Sequence, residues 1–561
     1  MINIFLIVGT IFSTLAFANE DPLLNAAKQE LDRTYQFLQK QKQPAYWIGL
    51  GITDVRNHNI QASNGAVMYN HEYHRRYADI DLRVGDFQLD NTRQLRDAGW
   101  FNEDTHFHSG LSIETKPIDI RTSLWRLFDE AYRSSVRRLI KIKANSVVKV
   151  ELEDKSDDFS KAPAIKDLQV VSPQKLSAAQ QKSWEERLRK ASAILLGYPD
   201  VIDSGVQLTM EDQILYLLNT EGTMIRHQRT QYRISVWAYT MADDGMELNV
   251  YDYIDAAKME ALPSPEEFEK MVLQTAQKAV DLKNAPKVDP YVGPAILRGR
   301  ASAVFFHEIL GHRVEGHRQK DEFEGQTLGD KVNQQIFPDF ISIIDNPTLA
   351  SFNGVDLNGY YKYDDEGTPA QKVEVVKDGV FLNFLMSRTP IEGFPQTNGH
   401  GRRDIGYAPV SRQGNLIISA SRTSSYKDLR NQLIKQIRKQ NKPFGLIFDD
   451  ISGGFTFTGR NTPNSYNVKP VTVWKVFPDG RPDQLVRGVD MIGTPLLTFG
   501  RITAASDEYQ VFNGSCGAES GWVPVSAIAP DVLVSEVEVQ LKTKGSDRPP
   551  LLQSPKIGGE K

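Results

Sequence analysis

The sequence predicts an α+β protein in two parts, an N-terminal α/β domain followed by a β-rich domain. Three observations carry this expectation. Up to about residue 290, stretches with helical apolar spacing alternate with stretches of strand spacing. After that point strands and tight turns dominate. At 561 residues the chain also exceeds what one ordinary core accommodates.

Residues 1–18 stand apart from either part. Ile4 to Phe17 is a mostly apolar run, shorter than a comfortable membrane span. It closes on Ala16-Phe17-Ala18, a small-x-small pattern suited to signal peptidase, and polar Asn19-Glu20-Asp21 follows. The expectation is a signal peptide over 1–18 and an exported protein, periplasmic or secreted. No later stretch reaches the ~18 uninterrupted apolar residues of a spanning helix, so no stable membrane insertion is expected. Export makes the single cysteine informative. It cannot form an internal disulfide, and a lone thiol in an oxidising compartment must be either buried and inert or held by something.

The N-terminal domain is read as residues 19–290. Leu23, Leu24, Ala27, Leu31, Tyr35 and Leu38 recur at helical spacing after Pro22. Residues 45–90 alternate as strands, with Tyr46, Ile48 and Leu50 on one side. A second helix is predicted over 122–142, with Leu124, Leu127, Phe128, Tyr132, Val136, Leu139 and Ile140 inward. Its basic outer face, which includes Arg126, Arg133, Arg137 and Arg138, reads as a solvated surface. Residues 146–176 are polar surface, and a third helix follows over 177–196. Strand alternation returns from Val206 to Asp255, where Tyr232, Ile234, Val236 and Ala238 share a face. Ser264, Pro265 and Glu267 then supply the cap, first-turn proline and capping box of a helix running to Leu282.

The boundary falls between Pro286 and Pro294, and the β-rich domain is read as residues 291–543. Lys377-Asp378-Gly379, set between two apolar runs, marks one hairpin, and Pro478-Asp479-Gly480 after Val471–Phe477 marks another. A helix from Tyr426 to Lys439 interrupts the strands. Residues 544–561, polar with scattered proline and glycine, read as a disordered tail. Composition is that of a globular protein, 40% hydrophobic and 24% charged. A net charge of −5 gives no reason to expect nucleic acid as a partner.

The chemistry concentrates in His307-Glu308-x3-His312, which follows the apolar run Ala303 to Phe306. Neutral imidazoles are good zinc ligands, and a glutamate beside the first can accept a proton from a water activated by the ion. The familiar zinc-peptidase helix places its histidines four apart, on one face. Here they are five apart, about 140° round an ideal helix, so the helix must bulge or end between them. Gly311 is where a break is cheapest, because glycine tolerates unusual backbone angles. A third ligand has two candidates. His317 mimics the last histidine of another zinc-protease class, but that class needs a histidine where Gly311 stands. Cys516, in the glycine-flanked loop Asn513-Gly514-Ser515-Cys516-Gly517, is the stronger candidate, since zinc would hold its thiolate.

At this point the sequence resembles the TldD/PmbA metallopeptidases, and within them the catalytic TldD type. The resemblance covers about residues 200 to 543. It rests on His307-Glu308-x3-His312-x2-Glu315-Gly316, Asp364-Asp365-Glu366-Gly367-Thr368-Pro369, Asn398-Gly399-x-Gly401-Arg402-Arg403 and Gly514-Ser515-Cys516-Gly517. It implies a zinc peptidase of flexible or unfolded peptides, with Zn²⁺ on His307, His312 and Cys516 and Glu308 as catalytic base. It also implies a two-domain subunit paired with a like or unlike second subunit around a closed chamber. A signal peptide, extra length within 85–175 and in the tail, and His317 in place of an often acidic residue depart from the familiar members. The alternative is a non-catalytic peptide-binding or scaffold subunit of such a pair, which would lack the His-Glu-x3-His string.

Several further residues carry weaker expectations. Arg402 and Arg403 sit in a glycine-rich loop, where a guanidinium can bind a substrate carboxylate or polarise a carbonyl; the plain alternative is a salt bridge, for example to Asp404. Asp364, Asp365 and Glu366 are second partners for the histidines, an acidic ion-binding loop, or a turn. His106 and His108 form a His-x-His pair that could bind metal but reads better as a polar loop, and His400, inside the glycine-arginine loop, reads as a bystander.

Overall fold

The computed structural model describes residues 21–94, 105–146, 154–321, 324–461 and 464–542. The expected signal peptide and tail lie outside the described residues. The first sheet has seven strands among the described residues: β1 (Ala45–Ser63), β2 (Ala66–Val84), β3 (His106–Leu111), β4 (Lys166–Leu168), β5 (Asp203–Asn219), β6 (Met224–Met241) and β7 (Glu247–Ala256). Their order is β3-β2-β1-β5-β6-β4, with β7 also on β6. Pairing is antiparallel except between β4 and β6.

Four helices cover one face of this sheet: α1 (Pro22–Leu38), α2 (Pro117–Ser146), α3 (Ala178–Ile194) and α4 (Pro265–Asn284). Strand side chains alternate between faces. Ile48, Leu50 and Ile52 therefore pack with Leu31 and Leu124, and Val206 and Leu208 with Trp184 and Phe268. The intervening positions, such as Thr53 and Asn57 on β1 and Thr209 and Glu211 on β5, look the other way and line a groove. The helix starts follow their sequence signals: Ser264 caps α4 with a reciprocal Glu267 contact, and Ser177 with Gln180 does the same for α3.

Two expectations for α2 need correction. Arg138, expected in solvent, is buried, and its Nε donates to Asn91 O at 2.6 Å while Nη2 donates to Arg93 O at 3.1 Å. Ile140, expected inward, is exposed. This part of the helix covers the carbonyls of the 90–93 turn, which need donors. Two residues on, about 200° round the helix, a side chain faces water.

The second sheet begins with β8 (Tyr291–Leu297). It adds β9 (Ile341–Asp345), β12 (Val373–Lys377), β13 (Val380–Phe381), β16 (Asn415–Ala420), β17 (Gly445–Thr456), β18 (Tyr466–Val476), β19 (Gln484–Val486), β20 (Val489–Gly493), β21 (Ile502–Ala518) and β22 (Gly521–Leu541). Two short pairs lie outside it, β10 (Ser351–Phe352) with β11 (Val355–Asp356) and β14 (Gly401–Arg402) with β15 (Val410–Ser411). Strands β22, β20, β18, β17 and β8 pair in succession, and β8 returns to β22, closing a ring. Against β17, β18, β21 and β22 lies α5 (Gly299–Ile309), which is apolar nearly all round, as a core helix must be. The remaining helices are α6 (His317–Lys320), α7 (Tyr426–Lys439) and α8 (Pro495–Phe499).

Candidate metal centre

The helix α5 is seated by polar contacts at its start and by apolar packing along its length. Gly299 takes a positive φ of 50°, its N–H donates to Asp531 Oδ1 at 2.9 Å, and Ser302 Oγ donates to Pro530 O at 2.7 Å. Phe305, Phe306 and Ile309 anchor the far end in the core. His307 and Glu308 fall in its last turn. The α-helix stops at Ile309, Leu310 takes φ −118° and ψ −50°, and a 3₁₀ turn runs from Gly311 to Val314. This break brings a histidine five residues on back to the same side. The expected reason for Gly311 is corrected here. Its φ is not positive; a Cβ there would instead run into the end of the buried Gln413 side chain, which would have to move.

His307, His312 and Cys516 converge. Their ligand atoms lie within 4.8 Å of one another, and this is the one such set of three found among the described residues. Cys516 Sγ is 3.2 Å from His307 Nε2 and 3.3 Å from His312 Nε2. A tetrahedral zinc with bonds of about 2.3 Å to sulfur and 2.0–2.1 Å to nitrogen would set N···S separations of about 3.5 Å. Both sulfur–nitrogen separations are thus within a few tenths of an ångström of that value, and the donor set suits zinc. All three residues are buried, with Cys516 6% exposed. Burial pushes the Cys516 thiol up, but His312 and His307 beside it pull it well below its ordinary value, toward the thiolate that binds metal. His317 does not join the set; its Nε2 lies 3.5 Å from Glu519.

Glu308 is 4% exposed, rests against Gly454 of β17, and leaves Oε2 without a partner. A Cβ at Gly454 would come 2.7 Å from Glu308 Cγ, so glycine there makes room for the carboxylate. Burial raises the Glu308 carboxyl above its usual range, with the two histidines opposing. A desolvated carboxylate poised nearer neutrality is what a general base requires.

Sequence reasoning missed the support around this cluster. Glu315, fully buried, accepts from His312 Nδ1 at 3.1 Å and so leaves Nε2 free to point at the ligand site. Arg318 Nε and Arg412 Nε also donate to it, at 3.0 and 3.2 Å. These cations, together with His312, hold the Glu315 carboxyl well below its usual range despite burial. Arg412 Nη2 in turn donates to Cys516 O at 2.6 Å, so one guanidinium ties the cysteine strand to the carboxylate behind His312. The spacing of Glu315, three residues after His312, was a readable signal for a partner. Nothing in the sequence pointed to Arg412. The Gln413 amide, buried beside Gly311, has both polar atoms unpartnered.

The remaining expected residues lie elsewhere. Asp364, Asp365 and Glu366 do not reach the histidines. They form a turn whose carboxylates accept from Gly401, Arg403 and Arg388 N–H groups, bracing the glycine-arginine loop. Arg403 Nη1 pairs with Asp79 at 2.9 Å rather than with Asp404, to whose carbonyl it only donates at 3.3 Å. Arg402 Nη1 donates to Gln413 O at 2.7 Å, and its guanidinium lies over the Tyr361 ring. Both arginines line the groove against the first sheet. His106, expected in a loop, begins β3 and bonds Asp79 at 2.9 Å; His108, on the same strand, packs beside Gly406. His400 is buried between Asn398 and Asp345.

The fold and the cluster define a protein with a preformed His-His-Cys metal-binding set and a glutamate at its edge. The chain matches the PmbA/TldA metallopeptidase C-terminal domain over residues 291–541 and the central domain over 168–283. It belongs to the TldD/PmbA family. A protein named metalloprotease from Methanothermobacter thermautotrophicus is 25% identical over 391 residues, 68% of this chain and 79% of that one. Another from Archaeoglobus fulgidus is 26% identical over 51% of this chain and 60% of its own length. A zinc metalloprotease TldD homolog from Saccharolobus solfataricus is 23% identical over 48% of this chain, and the match spans only 56% of that relative. Among solved structures, TldE from Thermococcus kodakarensis superposes with a TM-score of 0.60 at 14% identity, covering 92% of this chain and 100% of that one. A putative modulator of a DNA gyrase from Thermotoga maritima gives 0.60 at 17%, covering 91% and 100%. Those structures share the fold.

Proposed function

We propose that the chain is a zinc-dependent peptidase of flexible or unfolded peptides. The observation that carries the reading is Glu308, a buried carboxylate with an unpartnered oxygen next in sequence to one ligand of a convergent His-His-Cys set. Zinc held by His307, His312 and Cys516 would supply a Lewis acid that lowers the pKa of a water and polarises a peptide carbonyl. Glu308 accepts the water's proton as its oxygen bonds to the carbonyl carbon. The C–N bond then breaks, and the same proton passes from Glu308 to the leaving amine. Glu315 keeps His312 in the tautomer that presents Nε2. The relatives' names, metalloprotease and zinc metalloprotease, support this reading.

The active unit is a pair of subunits, alike or of the TldD/TldE kind, in keeping with the TldE fold neighbour. A non-catalytic subunit would need neither the convergent ligands nor the free Glu308 oxygen. The protein is exported, with Asn19 as its mature N-terminus; N-terminal sequencing of protein from the producing cell tests this. The deciding experiment is metal analysis of the purified protein together with turnover of an unfolded protein substrate. About one zinc per chain is expected, lost in Cys516→Ala. Glu308→Gln keeps the metal and loses turnover by about 10² or more. Hydrolysis at the wild-type rate by Glu308→Gln would remove the reading.

A further inference from the structure

The hairpin that carries Cys516 has two working faces. Cys516, Val523 and Val525 point to the metal side. Their neighbours Ser515, Trp522 and Pro524 point the other way, into a groove of about 920 Å³ between the first sheet and the glycine-arginine loop. The sheet contributes its uncovered face, so amides, hydroxyls, tyrosines and charged groups line the groove, interspersed with apolar side chains such as Val55, Leu215 and Ile405. Two arginines in it stand out. Arg229 on β6 donates through Nη2 to Asn358 O at 2.9 Å and to Gln231 Oε1 at 3.3 Å. Arg402 on β14 donates to Gln413 O and lies 4.7 Å over the Tyr361 ring. Both guanidiniums therefore rest against the same short segment, Asn358 to Tyr361.

Neither has a carboxylate partner among the described residues, whereas three of the other groove cations do; the fourth, Arg75, is exposed and donates to the Tyr77 hydroxyl. Arg233 is paired with Asp255, Arg403 with Asp79 and Lys362 with Asp167. Glu211 and Asp365 face the same space, but neither comes within ion-pair distance of Arg229 or Arg402; Asp365 is taken by Arg403 N–H and Glu211 by Gln213. Burial, and then the charge of Arg402, lower Arg229 to about 10, against the opposing pull of Glu211, Asp255 and Asp365. Two like charges partly withdrawn from water, with no carboxylate in ion-pair contact, favour an added anion. A carboxylate is the anion a planar guanidinium fork fits in two-point fashion.

We propose that Arg229 and Arg402 form a carboxylate-binding site for a peptide, on the face of the Cys516 hairpin opposite the metal ligands. The extended groove floor, built of strand amides and hydroxyls, accepts the flanking peptide backbone. The carboxylate comes either from a chain terminus or from an Asp or Glu side chain. The site stands whether or not the metal centre hydrolyses peptides.

The test is direct binding to the full chain carrying Glu308→Gln, read by fluorescence anisotropy. Three labelled peptides of one neutral sequence serve as probes: one with a free C-terminus, one amidated, and one amidated with a central glutamate replacing glutamine. At least one carboxylate probe should bind about tenfold or more tightly than the neutral amide, and which one does so identifies the source. Arg229→Gln should abolish that preference and Arg229→Lys should restore part of it, while chelation of the metal leaves it intact. Equal binding of all three probes to the unsubstituted groove, or a preference that survives Arg229→Gln, would overturn the proposal. Retained preference without any hydrolysis in the wild-type chain would sink the peptidase reading and leave this site standing.

Discussion

Substituting Glu315 by glutamine would separate the role of the ligands from that of the groups holding them. The side chain is fully buried, keeps nearly the same volume as glutamine, and accepts from three cationic or potentially cationic groups: His312 Nδ1 at 3.1 Å, Arg318 Nε at 3.0 Å and Arg412 Nε at 3.2 Å. Arg318 is also bonded to Glu519 and Glu324, so it keeps partners, but Arg412 has no other carboxylate within ion-pair distance among the described residues. Removing one member of a buried charge group costs ~3–5 kcal/mol. That is a large part of the ~5–15 kcal/mol typical of folded stability. Loss of the carboxylate behind a histidine ligand typically lowers metal affinity by about 10–100-fold. Glu315→Gln should therefore unfold at lower urea and yield zinc to a chromophoric chelator at correspondingly lower chelator concentration. Glu324→Gln touches Arg318 but not His312, and should leave zinc affinity unchanged. Wild-type zinc affinity in folded Glu315→Gln would refute the argument that this carboxylate orients His312.

Three more outcomes follow from the structure. Gly311→Ala places a methyl group into the Gln413 amide; overpacking of this kind costs ~1–3 kcal/mol, and Gly311→Ala combined with Gln413→Ala should regain stability by urea titration. Glu366 is buried, and burial, opposed by Arg388, pushes its carboxyl up to about 7. The folded chain thus keeps a proton that the unfolded chain loses above its ordinary value of 4.5. Its contribution is complete below that value and disappears as pH rises through about 7, with the neighbouring Asp364 carboxyl raised by burial and by Glu366 in the same direction; Glu366→Gln should flatten part of the stability–pH profile, and an unchanged profile would contradict the burial effect. Finally, if two subunits close a chamber round the proposed site, one protein offered native and unfolded should be cleaved only when unfolded, since opening a stable domain costs ~5–15 kcal/mol; equal rates would exclude an enclosed site.

By itself the sequence determined the local features, because each depends on residues close along the chain. The spacing of Leu23, Leu31 and Leu38, the Ser264–Glu267 capping box and the Asp378-Gly379 turn specify elements whose hydrogen bonds close within a few residues. The His307–His312 spacing required a helix break, and the lone cysteine pointed to a held thiol, both readable from chemistry at fixed separations. What only the tertiary structure decided are contacts across long separations. It placed Arg138 inward, because a remote turn offered carbonyls, and gave Gly311 a steric role instead of a conformational one, because Gln413 arrives from a hundred or so residues away. It also drew Arg403 to Asp79 on the first sheet and set Arg412 between Glu315 and the Cys516 strand. Burial decides which polar groups need partners, and only a folded chain has an inside in which that need is felt.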